Sequence, residues 1–81
     1  MNNTHINVTV DARALGGAVL DLRIPALQKV GDLIVNVLET LNIADNGKKH
    51  FIRIPTKKCV LLEHQTLKDG HVNDGDILEI N

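Results

Sequence analysis

Two segments in the first third of the chain alternate apolar and polar residues with a period of two, which is typical of strands with one buried face. They cover residues 5–11 and 19–24. The Gly16-Gly17 pair between them can adopt positive φ at low cost, and Pro25 after the second segment lacks an amide hydrogen. The pattern therefore predicts an N-terminal β-hairpin that ends at this proline.

The next segment changes its period from two to between three and four. This spacing predicts an amphipathic helix from about Lys29 to Leu41, followed by termination signals at Asn42 and in the Asp45-Asn46-Gly47 turn. A partner-binding stripe on this helix is a weaker interpretation than a core face, because the sheet needs a cover. The apolar positions of the stripe are Val30, Leu33, Ile34, Val37, Leu38 and Leu41.

The second half of the chain returns to short strands. We expect them at residues 50–54, 59–62 and 77–80, with turns at residues 55–58 and 73–75. One helix across one face of a mixed sheet buries all of these apolar faces at once. The sequence therefore predicts an α+β fold, and its 81 residues are expected to form a single domain.

Alternation also predicts which side chains lie on the uncovered face of this sheet. If Ile52 and Ile54 face the helix, Phe51 and Arg53 face outward. The same reasoning for residues 77–80 directs Ile77 and Glu79 outward, so that Phe51 and Ile77 are expected to be exposed together. We predict that Phe51, Arg53, Ile77 and Glu79 form a protein-binding surface. The alternative is that Phe51 is buried under the loop at residues 45–47, because the only aromatic residue of a small domain is often buried.

Composition excludes several classes of function. The net charge is −1 and Phe51 is the only aromatic residue, so neither a basic groove nor a stacking platform for nucleic acid is expected. Cys59 is the only cysteine, which favours a cytoplasmic protein, and no apolar stretch approaches the roughly 20 residues of a membrane span. The first residues, Met-Asn-Asn-Thr-His, have neither a basic nor an apolar region, so no signal peptide is expected.

No catalytic, cofactor or metal site is predicted. The four histidines have no paired metal-ligand spacing and are read as surface and strand-end residues: His5, His50, His64 and His71. Cys59 follows two lysines that could favour its thiolate, but a lone strand cysteine is more often a small apolar residue.

The order of elements resembles the ubiquitin-like β-grasp fold over nearly the whole chain. Within that fold the sequence is similar to the YukD/EsaB family, the small ubiquitin-like proteins of bacterial type VII (WXG100) secretion systems. The segments that carry the resemblance are Val19-Leu20-Asp21-Leu22-Arg23-Ile24-Pro25, Phe51-Ile52-Arg53-Ile54, and Leu67-Lys68-Asp69 with Asn73-Asp74-Gly75-Asp76-Ile77-Leu78-Glu79-Ile80.

The β-grasp resemblance also brings two oppositely charged segments together. Residues 48–58 contain five Lys or Arg and no acid, residues 69–79 contain four acids and no Lys or Arg, and their strands are neighbours in this fold. Cross-strand ion pairs are one interpretation of this arrangement, and a partner-binding face is the other.

The family resemblance implies a noncatalytic accessory or regulatory protein that contacts cytosolic parts of the secretion machinery. A modifier or sulfur carrier is the alternative on this fold, but these need a flexible Gly-Gly tail and the sequence reads Leu78-Glu79-Ile80-Asn81. An iron–sulfur ferredoxin needs four cysteines. An adaptor for an unrelated bacterial partner stays open, and so does a homodimer through an edge strand.

Overall fold

A computed structural model describes residues 5–45 and 47–81. The start of the chain, predicted to lack a targeting signal, and Asn46 of the predicted turn lie outside this part. The described residues form five strands and one α-helix: β1 (His5–Asp11), β2 (Val19–Pro25), α1 (Val30–Thr40), β3 (Phe51–Ile54), β4 (Cys59–Leu62) and β5 (Ile77–Ile80). Each predicted element is confirmed to within a residue or two at its ends.

The strands form one mixed sheet in the order β2-β1-β5-β3-β4. The central β1 and β5 are parallel, and the other neighbouring strands are antiparallel. Gly16 closes the first hairpin with a φ of 83°, a left-handed conformation that favours glycine. The strands predicted from the basic and acidic segments, β3 and β5, are direct neighbours.

Helix α1 is fixed at its start by the chain that follows β4. The first amide groups of a helix have no partner within the helix. Here the Val30 N–H donates to the Gln65 carbonyl at 2.8 Å, and the Gly31 N–H donates to the Glu63 carbonyl at 2.9 Å. The covering helix is thereby tied to the β4 end of the sheet.

The helix ends as its sequence predicts. Asn42 adopts a left-handed conformation with a φ of 55°. The Asn42 N–H donates to the Glu39 carbonyl at 3.2 Å and the Ile43 N–H donates to the Leu38 carbonyl at 2.9 Å, the two bonds of a Schellman termination.

The core lies between α1 and one face of the sheet. At the far side of this core, Gly70 approaches Leu61 so closely that an added Cβ would lie 2.8 Å from a Leu61 methyl carbon. The buried apolar residues are Val8, Val10, Ala12, Ile24, Val30, Leu33, Ile34, Val37, Leu38, Ile52, Ile54, Leu61, Leu67, Val72, Leu78 and Ile80.

No helix of the described residues is long and apolar enough to span a bilayer.

Candidate protein-binding surface

The face of the sheet opposite α1 carries the four side chains selected from the sequence. Ile52 and Ile54 are fully buried, whereas Phe51 retains 38% of its accessible surface and Arg53 is exposed. Ile77 is 42% exposed and Glu79 is partly exposed. The predicted orientations are confirmed, and the alternative that Phe51 is buried under a loop is wrong.

Phe51 and Ile77 are both exposed on this face, as expected, but they are not adjacent. The ladder places Arg53 opposite Glu79, and Phe51 exchanges two backbone hydrogen bonds with Asn81. Ile77 is therefore four positions along β5 from the residue opposite Phe51, a distance of about 13 Å. The Arg53–Glu79 pair lies between the two apolar side chains.

Two apolar residues that the sequence analysis did not select lie beside Phe51. Leu62 is opposite Phe51 and Val60 is opposite Arg53 in the β3–β4 ladder, and each is 49% exposed. We call Phe51, Val60 and Leu62 the apolar patch. Alternation around the buried Leu61 directs both residues outward, but β4 is apolar on both faces, so its sequence does not mark either face as buried.

An ion pair borders the apolar patch. The Arg53 Nε and a terminal guanidinium nitrogen both lie 3.0 Å from the Glu79 Oε1. The Arg53 side chain retains 57% of its accessible surface. Its charge is therefore largely solvated, and the ion pair contributes little to stability. Aromatic residues, Phe among them, and arginine are enriched in protein interfaces relative to the rest of the surface.

A second ion pair continues the charged row toward β1. Arg13 binds Asp11 through its guanidinium, with a 2.8 Å contact to Oδ2, and also through its backbone N–H. These bonds, chiefly those from the guanidinium, lower the pKa of Asp11 from 3.8 to about 2. Asp11 is opposite Glu79 in the ladder, so two neighbouring carboxylates are each neutralised by their own arginine.

The third ion pair joins the basic and acidic segments at the far end of β5. Lys57 lies 2.9 Å from Asp76 and also donates to the His71 carbonyl. Burial of Asp76 raises its pKa, but hydrogen bonds from the Asn73 N–H and from Lys57 outweigh it, and the net effect lowers the pKa. Arg53–Glu79 is a cross-strand pair, and Lys57–Asp76 joins the turn after β3 to the residue before β5, so ion pairing accounts for part of the charge bias.

The residues considered for metal or thiol chemistry lie apart. Cys59 is half-buried against the core. The His50 Nδ1 lies 3.2 Å from the Asn81 carbonyl oxygen. In the part of the chain that the structure describes, no three His, Cys, Asp or Glu side chains are placed to hold a metal ion.

Comparison with known proteins identifies both a family and a fold. The family described as "WXG100 protein secretion system (Wss), protein YukD" matches residues 5–80. The "Type VII secretion system accessory factor EsaB" of Staphylococcus aureus strains Newman and N315 is 35% identical over 78 residues, which cover 96% of this chain and 98% of that protein.

Solved structures show that the fold is a ubiquitin-like β-grasp. The structure "Molecular Mimicry of SUMO promotes DNA repair" superposes with a TM-score of 0.81 at 16% identity and covers all of this chain and 95% of its own. "Caldiarchaeum Subterraneum Ubiquitin" gives a TM-score of 0.72 at 21% identity, covering 94% of this chain and 90% of its own. At these identities the likeness concerns the fold alone.

Proposed function

The chain belongs to the YukD family of the WXG100 protein secretion system, and on that premise we propose that it is a noncatalytic accessory factor of a type VII secretion system that acts through protein contacts in the cytoplasm. The observation that carries the proposal is the outer face of the sheet. It combines the exposed apolar patch of Phe51, Val60 and Leu62 with the solvated Arg53–Glu79 pair.

Phe51 is the anchor of this proposed interface. An aromatic side chain supplies a large apolar area with few rotatable bonds, so its immobilisation on binding costs little entropy. Val60 and Leu62 flank it on the neighbouring strand and enlarge the apolar area that a partner can cover. A partner protein with an apolar pocket fits this corner of the sheet.

The ion pair gives the interface its orientation. Arg53 donates hydrogen bonds to Glu79, but its side chain is 57% exposed. It can therefore also bind a carboxylate of the partner at the rim of the apolar patch. Charged groups at a rim affect the rate and the specificity of association more than its strength. Ile77 lies beyond this pair and forms a second, separate apolar contact.

Residues 77–81 are held in the sheet and do not themselves form a flexible tail. Residues 77–80 lie in β5, and Asn81 both accepts a hydrogen bond from the Phe51 N–H at 3.1 Å and donates one to the Phe51 carbonyl at 2.9 Å. A segment held in a sheet cannot be threaded into an activating enzyme without breaking these bonds. We therefore assign the function to the outer face of the sheet, to which these residues belong.

The test is affinity purification of the tagged protein from detergent-solubilised native cells, followed by mass spectrometry of its partners and of its own C-terminal peptide. We expect the wild-type protein to recover components of the secretion machinery with an unmodified terminus, and Phe51→Ala to recover at least about tenfold less.

The matched control is Val35→Ala, which truncates an apolar side chain of 46% exposure on helix α1. It is expected to recover the same partners as the wild-type protein. Equal losses for Phe51→Ala and Val35→Ala, or no loss for Phe51→Ala, would contradict the proposed surface. An activating enzyme among the partners, or a terminus joined to another protein, would establish the modifier alternative instead.

A further inference from the structure

Strand β2 lies at an edge of the sheet, and the hydrogen bonds of its neighbour β1 show which of its backbone groups face outward. The Thr9 N–H donates to the Asp76 carbonyl at 2.9 Å, and the Asn7 carbonyl accepts from the Gly75 N–H at 2.8 Å. The backbone groups of Thr9 and Asn7 are thus directed toward the β5 side of the sheet. In an antiparallel pair, two residues directly opposite each other either exchange both backbone hydrogen bonds or direct their N–H and C=O groups away from each other.

The partners of these residues on β2 therefore point their backbone groups to the open edge. Asp21 is opposite Thr9, Arg23 is opposite Asn7, and Val19 is opposite Asp11. No backbone group within residues 5–45 and 47–81 bonds to Val19, Asp21 or Arg23 from the open side. The edge thus offers three amide donors and three carbonyl acceptors in one row.

The opposite edge of the sheet is closed at its end by its own chain. The Leu62 N–H of β4 donates to the Gln65 side-chain oxygen at 2.8 Å, and the Leu62 carbonyl accepts from the Gln65 N–H at 3.0 Å. Proteins commonly block edge strands in such ways to prevent unwanted pairing. In contrast, β2 is a seven-residue strand, and the described residues leave the outward backbone groups of Val19, Asp21 and Arg23 unpaired.

An apolar cleft follows the open edge between β2 and α1. Leu20 and Leu22 line its strand side and are only half-buried, and Leu33 and Val37 line its helix side. A strand added to β2 would cover both leucines. The edge therefore combines unpaired backbone groups with apolar side chains on the face that an added strand would bury.

We propose that this edge binds β2 of a second copy of the chain in antiparallel orientation, about a two-fold axis through Leu22. In this register Asp21 of each copy exchanges both backbone hydrogen bonds with Arg23 of the other. Asp21 and Arg23 are both exposed, so the register also places two pairs of opposite charges directly across the new ladder. The two Leu22 side chains meet on the cleft side.

The charges select this register and this partner. A shift that centres the axis on Asp21 places the two Asp21 carboxylates opposite each other, which is destabilising. The register centred on Leu22 instead places unlike charges opposite each other at both positions. An edge whose charges complement themselves under a two-fold rotation is the property of an isologous dimer interface.

Charge reversal tests the register by sedimentation velocity and by hydrogen exchange between about 1 µM and 1 mM. We expect the wild-type protein to dimerise, with the amides of Asp21 and Arg23 protected as dimer forms. Asp21→Arg places Arg opposite Arg, and Arg23→Asp places Asp opposite Asp. Each single variant is expected to raise the dissociation constant on the order of tenfold or more.

Mixing the two single variants restores unlike charges at both positions of a mixed dimer. We expect the mixture, and also the double variant Asp21→Arg with Arg23→Asp, to dimerise as the wild-type protein does. The control Arg53→Glu reverses a charge at the other end of the sheet and is expected to leave the dissociation constant unchanged. Circular dichroism of each variant verifies that it folds.

Several outcomes would overturn the proposal. They are a wild-type protein that is monomeric at about 1 mM, single variants that dimerise as strongly as the wild type, or a mixture that fails to dimerise. A monomeric wild-type protein would indicate instead that the β2 edge binds an extended peptide of another protein. Because β2 and the apolar patch lie at opposite ends of the sheet, the partner-recovery experiment is independent of this result.

Discussion

Strand β3 has two faces that differ in what they do for the protein. Ile52 and Ile54 are fully buried under the helix, whereas Phe51 and Arg53, in the same four residues, lie on the uncovered side. Burial makes the first pair necessary for folding. Exposure frees the second pair for contact with another protein, so the two faces can be separated by mutation.

The largest effect is expected from truncation on the buried face. Ile52→Ala removes apolar groups from a fully buried site and should lower the free energy of unfolding by about 2–5 kcal/mol. Phe51→Ala, one residue away, should cost about 1 kcal/mol, because Phe51 is already partly exposed. Urea denaturation of both variants measures the difference, and equal losses would contradict the separation of the two faces.

An added methyl group should also destabilise the buried side. Gly70→Ala places a Cβ 2.8 Å from a Leu61 methyl carbon, and Leu61 is itself 1% exposed. We expect a loss of about 1–3 kcal/mol in the free energy of unfolding. The same substitution in a Leu61→Ala background should cost less, because the space is vacated, and a double-mutant cycle detects this coupling. Additive losses would show that the two residues do not compete for space.

The ion pair on the uncovered face should affect stability far less. Arg53→Ala, Glu79→Ala and the double variant form a cycle whose coupling energy should be below about 1 kcal/mol, because the pair is solvated. A coupling of several kcal/mol would assign the pair a structural role. Recovery of partner proteins by the same variants shows whether Arg53 acts in binding.

The smallest effect is expected at acid pH from Asp11. Its pKa is about 2 in the folded protein and its ordinary value is 3.8. Since the folded value is the lower one, its contribution to stability is complete above about pH 4 and is lost as the pH falls toward 2. Arg13→Ala should raise the Asp11 pKa toward 3.8, as measured by carboxyl NMR titration. An unchanged pKa would mean that Arg13 does not set it.

Periodicity predicted the fold because each element buries one face. The alternation at Ile52 and Ile54 was sufficient to direct Phe51 outward, and the spacing from Val30 to Leu41 was sufficient to place the helix. These are local properties, and the structure confirms them.

The composition of the surface patch could be predicted only in part, because it depends on register. Nothing in the spacing of residues 51–54 and 77–80 reveals that Arg53 pairs with Glu79, so the separation of Phe51 from Ile77 was missed. Val60 and Leu62 were missed because β4 is apolar on both faces. The open edge of β2 likewise follows from the strand order and not from its own sequence.

The most direct test of the account is secretion by cells whose own copy of this gene is deleted and replaced by Phe51→Ala or Val35→Ala, with protein level and melting temperature measured for each. The account predicts that Phe51→Ala impairs type VII secretion at a protein level near that of Val35→Ala, which secretes normally, and with a melting temperature lowered by only about 4–8 °C. Normal secretion with Phe51→Ala, or a loss that only follows a lower protein level, would contradict the assignment of function to the uncovered face.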